Sequence, residues 1–203
     1  MKKIISVIGA GGKTSLLHKM SEYYLKQGYT VLLTTTTHMM IEKDTDISCD
    51  ILAIREKLKH NKYCMAGKLC DKNKQKIQAL PHNILINIMP YVDYILIEAD
   101  GAKHHSLKYP LENEPVIFES TTDIYLVAGL WEIGKCCKDV IFRFQDMNRE
   151  LGTSAYEKVS LDHIRQIQEI YKRRIEGQGF IGKFHYIYSK KTDNRIEFFE
   201  NIT

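Results

Sequence analysis

The chain has few of the features that mark several protein classes. Its 203 residues include four prolines and five cysteines, and no apolar run approaches the roughly 20 residues of a membrane-spanning helix. Few prolines argue against long disordered tracts, and an odd number of cysteines argues against a fully paired disulfide scaffold. We therefore expect a globular protein with reduced thiols.

A strong charge of either sign is also absent. Lys+Arg 29 and Asp+Glu 25 give a formal net charge of +4, and this small surplus is spread along the chain, so it gives no basis for a nucleic-acid-binding face. The start Met1–Ile8 resembles a secretion signal only briefly, because its apolar stretch is short and ends in a glycine loop. We expect a cytoplasmic protein that binds neither nucleic acid nor membrane.

Hydrophobic periodicity predicts a single α/β domain over residues 1–203. Ile4–Ile8 predicts a buried strand, Thr14–Gln27 a helix and Tyr29–Thr35 a second strand. This order is a βαβ unit, which favours a mainly parallel sheet with helices on both faces. The other predicted core elements are the strands Tyr94–Ile97, Asp123–Ala128, Phe184–Tyr188 and Arg195–Phe199 and the helices His82–Pro90 and Leu161–Ile175.

The stretch from residue 39 to 81 has no clear periodicity. We expect it to form an irregular excursion at one edge of the sheet. Short strands are predicted at Ile47–Ile54 and Tyr63–Leu69, and a polar, lysine-rich helix or loop is predicted at Asp71–Leu80.

A glycine-rich loop separates the first predicted strand from the first predicted helix. It comprises Gly9, Ala10, Gly11, Gly12, Lys13, Thr14 and Ser15. In this context backbone N–H groups can approach phosphate oxygens, and the helix N-terminus adds positive potential. Lys13 is placed to contact the β- and γ-phosphates and the Thr14 hydroxyl to ligate Mg²⁺. The loop predicts binding of ATP or GTP with Mg²⁺, although it is two residues shorter than the G-x-x-x-x-G-K-[ST] pattern.

Two acids follow the predicted strand Tyr94–Ile97. Glu98 and Asp100 are two positions apart, so in an extended strand both side chains lie on the same side. Carboxylates at a strand end beside a phosphate loop hold Mg²⁺ or orient the attacking group. We predict that Glu98 binds Mg²⁺ together with Thr14 and that Asp100 is the general base or contacts a second substrate. Both acids and Lys13 are the predicted catalytic residues.

Further polar residues are predicted to face the same crevice. Thr36 and His38 follow the second strand, whose carboxyl end lies at the same edge of a parallel sheet as the glycine loop. Lys103 and Lys108 lie in a polar segment after Gly101. We expect these four side chains to be candidate contacts for phosphate or for an anionic second substrate.

In their order along the chain, these motifs resemble the YqeC family. The matching motifs are Gly9-Ala10-Gly11-Gly12-Lys13-Thr14, Thr34-Thr35-Thr36-Thr37-His38, Glu98-Ala99-Asp100-Gly101-Ala102-Lys103, Leu107-Lys108-Tyr109-Pro110 and Glu114-Pro115. The resemblance extends to about Arg143 and implies a P-loop NTPase-like fold. It also implies a role in supplying the selenium centre of molybdenum hydroxylases. Phe118 stands where the family usually has Pro. Phe142-Arg143 stands where the family has His-Arg, so only Arg143 is carried over from these two positions as a substrate-binding candidate.

Three functions remain open from the sequence. The first is a Mg²⁺-dependent nucleoside triphosphatase or phosphotransferase that serves maturation of the selenium-containing centre of a molybdenum hydroxylase. The second is a nucleotide-gated chaperone that binds the hydroxylase with little turnover of its own. The third is an ATP-dependent ligase, because ligases of peptidoglycan precursors have a similarly short loop.

Overall fold

Strands and helices alternate along much of the chain in the computed structural model, which describes residues 2–70, 74–193 and 195–200. The strands are β1 (Lys3–Gly9), β2 (Val31–Thr35), β3 (His38–Met40), β4 (Tyr63–Met65), β5 (Lys68–Leu69), β6 (Lys76–Gln78), β7 (Tyr94–Glu98), β8 (Leu107–Lys108), β9 (Asp123–Gly129), β10 (Ile141–Phe142), β11 (Lys183–Lys191) and β12 (Ile196–Phe199). The helices are α1 (Lys13–Lys26), α2 (Ile51–Asn61), α3 (His82–Ile88), α4 (Cys137–Val140), α5 (Phe144–Leu151) and α6 (Leu161–Gly177), with 3₁₀ turns at Met89–Tyr91 and Leu130–Glu132.

A seven-stranded central sheet has the order β12-β11-β9-β1-β7-β2-β4. All neighbouring strands are parallel except the antiparallel pair of β11 and β12. After β1 the chain crosses to β2 on one side, and β9 later pairs with β1 on the other side. The strand order therefore reverses beside β1, and ligands of such sheets bind beyond the carboxyl ends of the strands at this point.

Helices cover both faces of the central sheet. Val7 of β1 packs in one apolar cluster with Leu17 of α1, whereas its neighbour Ile8 packs in a second cluster with Ile164 of α6. Because alternate side chains of β1 are buried on opposite faces, the strand is mostly apolar. The prediction of an α/β protein with a mainly parallel sheet and helices on both faces is confirmed.

The predicted strand at Ile47–Ile54 is wrong, because the chain enters helix α2 within it. Asp50 caps this helix, and its carboxylate accepts a hydrogen bond from the backbone N–H of Leu52 at 3.0 Å. Ile54 and Leu58 are buried one helical turn apart. An acidic N-cap followed by apolar residues at positions i and i+4 indicates a helix, and it outweighs the β-branched residues of this segment.

Residues 39–81 contribute to two sheets. β4 forms the edge of the central sheet beside β2, while β3, β6 and β5 form a separate antiparallel sheet. The single strand predicted at Tyr63–Leu69 is divided into β4 and β5, and Gly67 lies between them. A Cβ atom on Gly67 would lie 2.6 Å from the carbonyl oxygen of Gln78, so the backbone passes too close to β6 for a side chain.

The segment Asp71–Leu80, predicted as a helix or loop, contains a strand. Within it β6 pairs with β3 and β5, and its central residue Ile77 is buried. Alternation around one apolar residue is too short a pattern to distinguish a strand from a loop in the sequence. Residues 71–73 lie outside the described residues.

The remaining predicted elements are present with bounds shifted by a few residues. Helix α6 begins at a capping box, in which the Ser160 hydroxyl accepts from the N–H of His163 and the His163 ring accepts from the N–H of Ser160. The short elements β8, β10, α4 and α5 were not predicted. No helix in the described part of the chain has the length and apolar character needed to cross a membrane.

A substitution at Gly9 tests how tightly β1 and β9 pack beside the glycine loop. Gly9 has φ 84°, and a Cβ atom there would lie 2.3 Å from the carbonyl oxygen of Val127. Gly134 has φ 87°, but no atom of the described residues would lie within 4 Å of a Cβ atom there. We expect Gly134→Ala to lower the free energy of unfolding by about 1–2 kcal/mol and Gly9→Ala to lower it by about 1–3 kcal/mol more. Equal losses in urea unfolding would show that the loop yields to the added methyl group.

Candidate active site

The glycine loop connects β1 to α1 through three residues with positive φ angles. These angles are 84° at Gly9, 93° at Gly11 and 109° at Gly12, in the region that glycine adopts most readily. Gly12 is the N-cap of α1, and no side chain in the described part of the chain caps this helix end. Among residues 2–70, 74–193 and 195–200, no acceptor is hydrogen-bonded to the backbone N–H groups of Gly11, Gly12, Lys13 and Thr14. The loop thus offers several free donors at one helix N-terminus.

Neighbouring strands fix the two ends of the loop. The N–H of Ala10 donates to the carbonyl oxygen of Val127 at 2.9 Å, so the loop is held by β9. A Cβ atom on Gly11 would lie 2.6 Å from the backbone nitrogen of Gly129, which excludes a side chain at Gly11. Ser15 is half-buried in the first turn of α1.

The Lys13 side chain folds back over the loop. Its Nζ atom donates to the carbonyl oxygen of Gly9 at 2.8 Å, and the residue is only 6% exposed. Burial lowers the pKa of the Lys13 ammonium, while the negative charges of Glu98 and Asp100 oppose this shift. A buried ammonium has lost part of its hydration, so an anion bound at the loop would stabilise its charged form.

A hydroxyl and a carboxylate meet beside Lys13. The Thr14 hydroxyl donates to Oε2 of Glu98 at 2.7 Å. The backbone oxygen of Glu98 accepts from the Thr35 hydroxyl at 2.7 Å and from the Thr36 N–H at 3.1 Å, so the end of β7 is fixed from β2. The structure therefore brings Lys13 and Thr14 of the glycine loop together with Glu98, which was predicted from the separate motif at the end of β7.

The oxygen atoms of Thr14 and Glu98 fit the requirements of Mg²⁺. This ion prefers oxygen ligands, keeps several waters and is bound in nucleotide sites through one or two protein side chains together with phosphates. No group of three or more His, Cys, Asp or Glu side chains in the described chain could hold a metal ion by itself. A metal at this site would thus depend on a bound phosphate group for much of its coordination.

Asp100 lies in the protein interior. It is 1% exposed, and its carboxylate accepts from the Gly9 N–H at 3.1 Å, from the Tyr171 hydroxyl at 2.6 Å and from the Lys108 ammonium. Burial, and then the charge of Asp100, raises the pKa of Tyr171 well above 10, so the phenol remains a donor. Three donors occupy this carboxylate, and its burial leaves almost no surface for a substrate, so this geometry favours a positioning role for Asp100.

Lys108 connects Asp100 to a second ion pair. Its buried Nζ lies 2.9 Å from Oε2 of Glu114, and both terminal nitrogens of the Arg143 guanidinium donate to the same carboxylate. Burial would raise the pKa of Glu114, but the hydrogen bonds from Arg143 and Lys108 outweigh it and lower this pKa. Lys108 is enclosed by these contacts and offers no surface to a substrate, whereas Arg143 is partly exposed.

The other predicted substrate contacts are spread over the surface around the site. The Thr36 hydroxyl donates to the carbonyl oxygen of Val116 at 2.8 Å. His38 is exposed on β3, and the exposed Lys103 ammonium lies 5.5 Å from the ring centroid of Phe142. Of these residues, only Thr36 adjoins Glu98; among the described residues no contact joins His38 or Lys103 to the glycine loop.

Two residues that hold the site were missed by the sequence analysis. Tyr171 lies in the predicted helix Leu161–Ile175 and was given no role, although a buried tyrosine hydroxyl generally has a hydrogen-bond partner, and this rule was the available signal. The buried Ser189 hydroxyl donates to the carbonyl oxygen of Gly11. A serine at the end of a strand carries no pattern that would have indicated this contact.

Comparisons with known proteins match the part of the chain that carries the glycine loop. A family model described as "YqeC protein" matches residues 5–145. The "Uncharacterized protein YqeC" of Escherichia coli (strain K12) is 36% identical over 139 residues, which are 64% of this chain and 53% of that protein. The chain therefore spans about half the length of this curated relative. No solved structure matches the chain.

The contact between Tyr171 and Asp100 gives a stability prediction. Tyr171→Phe removes a buried hydroxyl that donates to a carboxylate, and such bonds contribute about 1.5–3 kcal/mol. Tyr188→Phe is the matched control, because its hydroxyl donates at 3.0 Å to the neutral amide oxygen of Gln168, a bond worth about 0.5–1.5 kcal/mol. We expect the larger loss of unfolding free energy for Tyr171→Phe in urea denaturation. A smaller loss than for Tyr188→Phe would contradict the assigned network.

Proposed function

The chain belongs to the YqeC family, and we propose that it is a P-loop NTPase-like protein that binds a nucleoside triphosphate with Mg²⁺ at the glycine loop. The observation that carries this proposal is the loop itself, where the backbone N–H groups of Gly11, Gly12, Lys13 and Thr14 have no acceptor in the described chain. Free donors at a helix N-terminus suit phosphate oxygens. The place of the loop, beyond the carboxyl end of β1 where the strand order reverses, also supports it.

Lys13 supplies the positive charge of the proposed phosphate site. Its ammonium is held by the Gly9 carbonyl oxygen, a weak neutral acceptor that a phosphate oxygen can replace. The exchange would give the buried Lys13 cation a directly bound anionic partner, which no described residue supplies. The neighbouring carboxylates of Glu98 and Asp100 already favour the charged ammonium, so Lys13 is prepared for an anion.

Thr14 and Glu98 are the residues that would hold Mg²⁺. Their oxygen atoms lie 2.7 Å apart in the hydrogen bond. With Mg²⁺ bound, this hydrogen bond would break, the Thr14 hydroxyl would keep its proton and contact the ion through its oxygen, and Glu98 would contact it directly or through water. When bound, Mg²⁺ neutralises charge on the β- and γ-phosphates. Glu98 orients the Thr14 hydroxyl, and Thr35 and Thr36 hold the backbone of Glu98 in place.

We propose nucleotide hydrolysis or phosphotransfer as the activity of this site. Asp100 would then act by fixing the Gly9 N–H and hence the loop, which makes it a positioning residue. On the strength of the motif resemblance, we further propose that turnover serves maturation of the selenium-containing centre of a molybdenum hydroxylase. Release of phosphate from MgATP or MgGTP by the purified protein, alone and with such a hydroxylase, tests both statements.

A second candidate function is favoured by the contacts of Asp100. The carboxylate of Asp100 is occupied by three donors. Of these two acids, Glu98 alone is therefore left near the loop to act as a base, and it is also the proposed Mg²⁺ ligand. A site without a separate base would turn over slowly. A nucleotide-gated binding module for the hydroxylase fits this arrangement, and phosphate release that occurs only with the partner present would support it.

Replacing Lys13 tests phosphate binding directly. Lys13→Ala should weaken binding of the Mg²⁺–nucleotide by about 2–4 kcal/mol, because a desolvated cation is removed from the phosphates. Lys26→Ala is the control, since Lys26 lies exposed in the last turn of the same helix. Isothermal titration calorimetry gives both affinities, and unchanged binding by Lys13→Ala would refute the phosphate-loop assignment.

Replacing Glu98 tests the Mg²⁺ assignment. Glu98→Gln keeps the shape of the side chain but removes the charge, so we expect nucleotide binding to need a higher Mg²⁺ concentration. Asp100→Asn is the comparison, because its effect should not depend on Mg²⁺ if Asp100 only positions the loop. Nucleotide titrations at several Mg²⁺ concentrations separate the two, and the same Mg²⁺ shift in both variants would assign both acids to the metal.

A further inference from the structure

A cleft with a mixed polar and aromatic lining opens beside the carboxyl ends of β9 and β11. Its volume is about 570 Å³, and it is lined by Trp131, Glu132, Lys135, Lys191, Thr192 and Asp193. This volume is within the range of roughly 300–1,000 Å³ that is typical of small-molecule sites. The cleft lies outside the phosphate and Mg²⁺ contacts described above.

The two segments that line the cleft, one after β9 and one at the end of β11, both contact the glycine loop. On one side, Gly11 packs against Gly129, and a Cβ atom on Gly129 would lie 3.2 Å from Cη2 of Trp131. On the other side, the Ser189 hydroxyl donates to the carbonyl oxygen of Gly11, and β11 reaches the cleft two residues later at Lys191. A nucleotide whose phosphates occupy the loop can therefore extend its sugar and base into the cleft.

Three side chains of the cleft are available to a ligand. Trp131 is half-buried, and no other ring and no cation stacks on it in the described chain. Lys191 and Asp193 are exposed, and their side chains form neither a hydrogen bond nor an ion pair with another described residue. Glu132, by contrast, is bound to Lys135 at 2.8 Å. The free groups are thus one aromatic face, one cation and one carboxylate.

We propose that this cleft binds the base of a guanine nucleotide, an inference that rests on the proposed nucleotide-binding function. Guanine presents two adjacent donors, N1–H and the 2-amino group, which match the two oxygens of the Asp193 carboxylate. Its O6 and N7 atoms are acceptors that suit the Lys191 ammonium. Adenine has a single amino donor, at position 6, to offer the carboxylate. At that position it lacks the oxygen acceptor that guanine presents to the lysine. The face of Trp131 supplies stacking to the base.

The test measures binding of GTP, ATP and XTP, each with Mg²⁺, by the full chain. Trp131 is the only tryptophan, so its fluorescence reports a base that stacks on it. We expect the wild type to bind GTP most tightly. Asp193→Asn should weaken GTP binding about 10–100-fold and strengthen XTP binding, because the amide can donate to the 2-oxo group of xanthine. The affinity for ATP should change little.

Two controls separate this inference from the proposed function. Asp44→Asn changes an exposed carboxylate near the opposite edge of the sheet and should leave all three affinities unchanged. In calorimetry, Trp131→Ala should weaken GTP binding about tenfold while Trp131→Phe retains most of it. If GTP and ATP bind with equal affinity and Asp193→Asn changes neither affinity, the cleft is not a guanine site, but the phosphate site at the glycine loop still stands. If no nucleotide binds, the proposed function fails as well.

Discussion

The buried carboxylate of Asp100 is the contact on which the geometry of the glycine loop depends. Its donors come from three separate parts of the chain: the Gly9 N–H at the end of β1, the Lys108 ammonium of β8 and the Tyr171 hydroxyl of α6. An isolated carboxylate in the interior would be strongly destabilising, so the three donors must be present together. The helix beyond residue 145 therefore takes part in shaping a loop that is encoded at the start of the chain.

The charges around this carboxylate are arranged in a chain of ion pairs that ends at the surface. Asp100 contacts Lys108, Lys108 contacts Glu114, and Glu114 contacts the partly exposed Arg143. Lys13 is outside this series of ion pairs, because among the described residues its ammonium is hydrogen-bonded only to the carbonyl oxygen of Gly9. The network thus leaves one buried cation beside the free backbone donors of the loop, which is the charge distribution that a phosphate group requires.

The parts of the fold that rest on strong local patterns could be predicted from the sequence. An apolar run that ends in Gly9 and continues into amphipathic spacing determines the order strand, loop and helix, and the structure has this order. The placement of Asp100 could not be predicted in this way. Strand alternation assigned it to the same side as Glu98, but β7 ends at Glu98, so the rule does not extend to Asp100. Lys108 was predicted to contact an anionic substrate, but it is buried between Asp100 and Glu114. Lysine is rarely buried without a partner, and the sequence does not show which of the nearby acids pair with it.

Amide hydrogen exchange of the glycine loop shows directly whether phosphate binds there. Gly11, Gly12, Lys13 and Thr14 have backbone N–H groups without an acceptor in the described chain, so a bound phosphate group should slow their exchange. We expect Mg²⁺–nucleotide to protect these amides strongly and Lys13→Ala to reduce this protection. Unchanged exchange at the loop at saturating nucleotide, or protection confined to other parts of the chain, would refute phosphate binding at the loop.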